Sequence, residues 1–156
     1  MKKVLDILSN TLQTIAGILF LFIFIINVAG IITRTFLNFS FLWVADVNTL
    51  SIAWMLALGM SVAIHKKGHI TIEFIRDKLP KNVKKVLEIV VTLIIIAFLI
   101  SLIFSGWKTV IMKMRILFVV LAIPTAYAFM ALPVFAFFSA IFMTYRLVNI
   151  TLSKDE

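Results

Sequence analysis

The chain has 156 residues, of which 63% are hydrophobic and only 14% are charged, and its formal net charge is +8. The mean hydropathy of +1.15 exceeds what soluble domains show, because only about half of their residues are apolar. The sequence therefore excludes a water-soluble fold and predicts a membrane protein. Because no cysteine is present, disulfides and thiolate chemistry are excluded as well.

Four apolar runs predict four transmembrane helices. In chain order they cover residues 12–32, 41–64, 86–107 and 116–145. Each run reaches the roughly 20 residues needed to cross a hydrocarbon core, and none alternates as a barrel strand would. The first run is too long for a signal-peptide core and is predicted to remain as a span. The fourth contains Pro124 and Pro133, so it should be tilted, kinked or protruding.

The segment between the second and third runs is cationic and then amphipathic. Within it, Ile72, Ile75 and Leu79 recur with helical spacing beside charged residues, until Pro80 ends the pattern. This pattern predicts a short helix over about residues 70–79 that lies in the plane of the cytoplasmic interface. The predicted fold is an all-α membrane protein, with residues 1–156 forming a single bundle.

The distribution of basic residues predicts the orientation. Of the 15 lysines and arginines, eleven fall at the two termini and in the middle segment, and four fall on the opposite side. By the positive-inside rule, the termini and the middle segment are cytoplasmic. Because the basic residues stand beside helix ends, they indicate contact with lipid headgroups and no nucleic-acid partner.

A few polar and aromatic residues stand inside the runs. Asp46 lies about five residues inside the second span, where an ionised carboxylate is costly. It is expected to pair within the chain or with another subunit, or to take part in ion movement, and Arg34 is the nearest candidate counter-ion. Asn27 and Asn48 suit hydrogen bonds between helices. Trp54 lies in mid-span and is expected to pack against another helix.

The two histidines raise the question of a metal or haem site. His65 and His69 are four residues apart, a spacing that could serve metal binding on one helix or haem binding between facing helices. Gly68 weakens such a helix, and both histidines lie at the end of a single span, so no metal or cofactor is expected. No nucleophile with its base and no convergent carboxylate pair can be assembled, so an enzyme is not expected either.

The order of certain residues resembles the small membrane subunit, of the DctQ type, of TRAP (tripartite ATP-independent periplasmic) transporters. The positions that carry the resemblance are Arg34, Trp43, Asp46, Trp54, Gly59, Ala63, Lys67, Gly68, His69, Ile70 and Glu73. Four spans and a cationic segment after the second also agree with that family. The chain departs from it beside Trp43, where the family often has two adjacent carboxylates and then an arginine. Here Ala45 precedes Asp46.

The resemblance implies a scaffold subunit in a sodium-driven importer of organic acids, such as dicarboxylates or sialic acid, in the bacterial inner membrane. Its implied partners are a large, elevator-type membrane subunit (M type), a periplasmic substrate-binding protein (P type) and membrane lipids. Seven residues are candidates for subunit contacts or structural roles: Arg34, Trp43, Asp46, Trp54, Gly59, His69 and Glu73. Lys108, Lys113 and Arg115 are candidates for periplasmic docking, with lipid headgroups as the alternative contact.

Two other classes remain open at the level of sequence. A redox anchor that binds haem or quinone is suggested only by the two histidines. A stand-alone small multidrug carrier is expected to have an acidic residue deep in its first span, and residues 12–32 contain none. A self-sufficient carrier would also be expected to show internal repeats and interrupted helices. No clear internal repeat is found here, and interruptions are limited to the fourth span.

Overall fold

The computed structural model describes residues 2–67 and 81–152. The helices of these two segments are α1 (Lys2–Phe36), α2 (Trp43–Lys67), α3 (Lys81–Lys113), α4 (Ala126–Phe129) and α5 (Ala131–Leu152). Within these two segments, four stretches are long and apolar enough to cross a membrane, and the last of them joins α4 and α5. The prediction of an all-α protein with four spans is confirmed. The predicted interfacial helix over residues 70–79, together with His69 and Glu73, lies outside the described residues.

Helix α1 extends well beyond its apolar run at the N-terminal end. Its 35 residues measure about 52 Å at 1.5 Å per residue, against a hydrocarbon core of about 30 Å. The extension is stabilised by tertiary packing, because Leu5 and Leu12 belong to a buried cluster with Leu58 and Val62 of α2 and Phe142 of α5. The N-terminal part of α1 thereby packs against the C-terminal half of α2 and against α5.

The predicted fourth span, residues 116–145, is corrected by the structure. Residues 114–125 form a turn-rich connection, here called the outer hairpin, and the helical part begins only at Ala126 and continues to Leu152. The amide of Phe118 donates to the carbonyl of Ile123 at 2.9 Å, which closes the hairpin. Pro124 explains the correction, because proline has no N–H to donate and disfavours the helical conformation of the residue before it.

The second proline of this run, Pro133, follows an interruption of the helix at Met130, between α4 and α5. Its ring lies against α3 at Gly106, where an added Cβ would be 3.1 Å from Pro133 Cδ. Gly106 therefore permits a close approach of α3 to α5. The sequence alone does not indicate this role, because it depends on a residue of another helix.

The spans are arranged as a row in the order α1, α2, α5, α3. Helix α2 packs against both α1 and α5, and α3 packs against α5 on the other side. A second buried cluster joins Leu99 of α3 to Ala136 and Met143 of α5. Small hydroxyl residues allow α2 and α5 to approach, since Ser61 and Ser139 are both 0% exposed. A row leaves α1 and α3 at its edges, with long apolar faces uncovered.

Candidate functional site

The carboxylate of Asp46 connects α2 to the outer hairpin. Asp46 Oδ2 accepts hydrogen bonds from the backbone N–H groups of Val120, at 2.8 Å, and Leu121, at 3.1 Å. The residue is 9% exposed and stands in the first turn of α2, where the helix dipole favours a negative charge. Hydrogen bonds to an ionised acceptor are stronger than neutral ones. Asp46 therefore holds the tip of the hairpin against the start of α2.

Arg34, the counter-ion suggested by the sequence, is exposed and forms no ion pair with Asp46, although the structure describes both residues. The hairpin amides take the place that a guanidinium would have occupied. Arg34 instead stands in the last turn of α1, where a positive charge is favourable at the carbonyl end of the helix.

Trp54 joins α2 to the fourth span. Its indole Nε1 donates a hydrogen bond to the backbone carbonyl of Tyr127, in α4, at 3.0 Å. The polar atom of the indole is thereby paired, and the ring is left as an apolar surface between the two elements. The contact explains a tryptophan in mid-span, away from the interfacial positions that tryptophan usually prefers in membranes.

Two asparagines join α1 and α2. Asn27 Nδ2 donates to Asn48 Oδ1 at 3.0 Å, and Asn48 Nδ2 donates back to Asn27 Oδ1 at 2.9 Å. Hydrogen bonds between helices in a membrane contribute about 0.6 kcal/mol each on average. The reciprocal pair fixes how α1 is aligned along α2.

The N-terminal end of α1 and the C-terminal end of α2 are joined by a polar contact. His65 Nε2 lies 3.1 Å from Asp6 Oδ1, and the His65 ring lies 4.5 Å from the ring centroid of Phe142 in α5. Lys66 Nζ donates to the side-chain oxygen of Gln13. In the part of the chain that the structure describes, no group of three potential metal ligands occurs, and His65 serves in a contact between helices. Its sequence neighbour His69 lies outside that part.

The outer cations differ in their surroundings. Lys113 is half-buried, with Nζ 5.1 Å from the ring centroid of Phe129, whereas Lys108 and Arg115 are exposed. Trp43, at the start of α2, is 39% exposed and lies beside the ring of Phe41. The structure therefore does not bring these residues together as one pocket.

One side of α2 lacks a neighbour within the row. This side, here called the open face of α2, consists of Ile52, Leu56, Gly59, Met60 and Ala63, all of which are exposed or half-exposed. A Cβ added at Gly59 would meet nothing within 4 Å. Gly59 and Ala63 are four residues apart, a spacing of small residues that lets another transmembrane helix approach closely.

Comparison with known proteins identifies related sequences. The sequence model of the family described as "Tripartite ATP-independent periplasmic transporters, DctQ component" matches residues 23–152. The chain is 28% identical over 97 residues to the sialic acid TRAP transporter permease protein SiaT of Haemophilus influenzae (strain 86-028NP). It is 25% identical over 84 residues to the C4-dicarboxylate TRAP transporter small permease protein DctQ of Vibrio cholerae serotype O1 (strain ATCC 39315 / El Tor Inaba N16961).

These alignments cover 62% and 54% of this chain. They cover only 16% of the Haemophilus protein and 36% of the Vibrio protein. The chain thus spans well under half of the curated relatives that it matches.

Proposed function

The chain belongs to the family of the DctQ component of tripartite ATP-independent periplasmic transporters, and from that premise we propose that it is a scaffold subunit of an importer. As a small TRAP permease subunit it is a transport component and not an enzyme. Membership of this family argues against the two alternatives that the sequence left open, the redox anchor and the stand-alone carrier. The structural observation that supports a scaffold is the row of helices, which leaves long apolar faces for lateral contact.

The polar groups within the spans also favour a frame over a carrier. Asp46 is bound to the outer hairpin, and Asn27 and Asn48 are bound to each other. A substrate or ion pathway needs polar groups that can exchange partners near the bilayer midplane. The side chains described above are used instead to join one element to the next, as a rigid support requires.

We expect the main partner to be a large membrane subunit of the M type. In the Haemophilus relative, the region similar to this chain is 16% of a much longer permease protein, so there it belongs to one polypeptide with a larger remainder. The open face of α2 is the surface we assign to this contact, because Gly59 leaves space for a neighbouring backbone. In this arrangement the chain widens and anchors the immobile frame beside an elevator-type subunit.

A periplasmic substrate-binding protein of the P type is the second proposed partner. Lys108 and Arg115 are exposed near the outer hairpin, and the carboxylate of Asp46, which contacts that hairpin, is already bound by two hairpin amides. Exposed cations without acidic neighbours favour an acidic surface on a docking protein. Lys113 is expected to contribute less to docking than Lys108 and Arg115, because its Nζ lies over the ring of Phe129.

The proposed substrate is an organic acid, taken up with a sodium gradient. The two relatives are named for sialic acid and for C4-dicarboxylates, which share carboxylate groups. The proposed location is the bacterial inner membrane, with both termini cytoplasmic and the outer hairpin periplasmic. The excess of basic residues at the termini and in the middle segment supports that orientation.

The experiment that tests the scaffold function is co-purification. A tagged copy of the chain is extracted from its native membrane in mild detergent, and the bound proteins are identified by mass spectrometry. We expect a larger polytopic membrane protein in stoichiometric amount. Recovery of the 17.7 kDa chain alone, or only with copies of itself, would contradict the scaffold function.

A further inference from the structure

A line of contacts crosses all four helices of the row at one height. His65 Nε2 of α2 lies 3.1 Å from Asp6 Oδ1 of α1, and the centroids of the His65 and Phe142 rings are 4.5 Å apart. The next residue of α5, Met143, belongs to a buried cluster with Leu99 of α3. These five residues, here called the Asp6 line, therefore stand at about the same height along the helix axes.

The Asp6 line meets the apolar runs of the helices at different points. At α1 it passes before the run of residues 12–32 begins, and at α2 it passes the end of the run 41–64. At α3 it passes through Leu99, about 13 residues inside the run 86–107. At 1.5 Å per residue, the runs of α2 and α3 are thus displaced along the helix axes by about 20 Å.

A second line of contacts, nearer the outer hairpin, shows a displacement in the same direction. Trp54 Nε1 of α2 donates to the carbonyl of Tyr127 in α4, and Lys113 Nζ of α3 lies 5.1 Å from the ring centroid of Phe129, also in α4. Trp54 stands in the middle of its run, whereas Lys113 stands beyond the end of the run 86–107. This set is here called the Trp54 line.

An upright row cannot place both ends of these runs in water. If the Asp6 line stood at the edge of the hydrocarbon core, Lys108 would lie only about 14 Å inside a core of about 30 Å. Lys108 is exposed, and an exposed ammonium at that depth is costly. Val86 and Ile94, which are 61% and 63% exposed, would stand outside the core. Shifting the upright row to fit α3 would instead bring the Asp6 carboxylate and His65 near the centre of the core.

From these two lines of contacts, we propose that the row inserts obliquely into the lipid bilayer, with its helices tilted in the plane of the row. The apolar runs then form a slanted belt. Lys108 and its neighbour Trp107 reach the headgroups on the side of the outer hairpin, and Asp6 reaches those on the other side. A displacement of about 20 Å across two interhelical distances of about 8–10 Å requires a tilt near the upper end of the observed range of about 0–40°.

The slanted belt is also shorter along the membrane normal than an upright row. The run of residues 86–107 measures about 33 Å along its helix, and a tilt of about 40° reduces its height to about 25 Å. A bilayer with a core of about 30 Å adapts to a shorter apolar belt by local thinning. The chain therefore thins the bilayer beside it, and this effect is independent of the scaffold function.

The test compares single cysteines at equal height on different helices, in native membranes that contain the chain and its partners. Met112 of α3 is 66% exposed and adjoins the Trp54 line. Leu21 of α1, which is 58% exposed, has a similar height, because Leu21 and Trp54 lie equally far along their helices from the paired Asn27 and Asn48. We expect Met112→Cys to react with a membrane-impermeant maleimide in spheroplasts, and Leu21→Cys to react only after detergent is added.

A second pair tests the other side of the bilayer. Ile7 of α1 and Phe98 of α3 are 66% and 63% exposed and adjoin the Asp6 line. In inverted membrane vesicles, Ile7→Cys should react and Phe98→Cys should not. If Met112→Cys does not accumulate, Ile111→Cys, at a residue that is 58% exposed, replaces it. Equal reactivity of the two members of either pair would overturn the proposal, because an upright row places both members at one depth.

Discussion

At the scale of single residues, the structure identifies the partners of the costly polar groups. The sequence predicts that Asp46 must have a partner, because an ionised carboxylate is unfavourable inside a span. It does not predict that the partners are the amides of Val120 and Leu121. Every residue except proline has a backbone N–H, so no residue type marks these two positions. Arg34 is the partner that the sequence suggests for Asp46, because a counter-ion can be recognised by its side chain and a backbone amide cannot.

Replacing Asp46 with alanine should loosen the outer hairpin. The change leaves two backbone N–H groups without their acceptor, which costs about 1–3 kcal/mol for each donor that water does not reach. We expect a lower Tm in mild detergent and faster protease cleavage within residues 114–125. Thr49→Val on the same helix removes only a bond to the Ala45 carbonyl and is the control. Equal losses in the two variants would contradict the role of Asp46.

Charge reversal of the exposed outer cations tests the proposed docking. Lys108→Glu combined with Arg115→Glu should raise the substrate concentration needed for half-maximal uptake several-fold, because like charges would then repel an acidic docking protein. Membrane abundance should not change. The double Gln variant removes charge without reversing it and should give a smaller effect. Uptake kinetics identical to those of the unmodified chain would rule out this docking surface.

At the scale of elements, hydropathy predicts the existence of spans better than their ends. The run of residues 116–145 is apolar throughout, yet its first part forms the outer hairpin, and α5 continues seven residues past its end. Composition does not distinguish a spanning helix from an apolar hairpin. Pro124 is the local signal that does, since a proline in a helix interior costs about 3 kcal/mol. If Pro124 is weighted above hydropathy, the fourth span is predicted to begin after this proline.

The open face of α2 is predicted to depend on its small residues. Gly59→Leu adds a bulky side chain where the structure has open space, so the isolated chain should keep its Tm. Co-purification of the large partner should fall several-fold, because the close helix approach is blocked. Gly17→Leu on α1, where a Cβ also meets nothing within 4 Å, is the matched control. Retention of the partner by Gly59→Leu would place the contact elsewhere.

At the scale of the whole molecule, the row of helices connects structure to function. In a closed four-helix bundle the helices surround one common core, in which ligand and metal sites are built from facing helices. Here α1 and α3 are edges, and the polar residues serve single helix pairs. Within residues 2–67 and 81–152, this layout provides lateral surface and no central pathway, which suits the proposed role of supporting another membrane protein.

The orientation of the whole molecule can be tested with single cysteines, because the natural chain has none. Val119→Cys replaces a hairpin residue that is 94% exposed. It should react with a membrane-impermeant maleimide in spheroplasts, whose outer membrane is removed and whose inner membrane is intact. Ile7→Cys, near the start of α1 and 66% exposed, should react only after permeabilisation. The reverse pattern would invert the proposed topology.

The sequence by itself determined the class of the protein: the number and helical nature of the spans follow from composition and run length, and the order of residues from Arg34 onward identified the family. These properties are local, because the bilayer requires each span to satisfy its own backbone hydrogen bonds. Only the tertiary structure decided which helices are neighbours, that Asp46 binds hairpin amides, and that Gly106 meets Pro133. These contacts join positions far apart in the chain. A backbone amide that serves as a partner, or a glycine that makes room for another helix, cannot be recognised from the residue type alone.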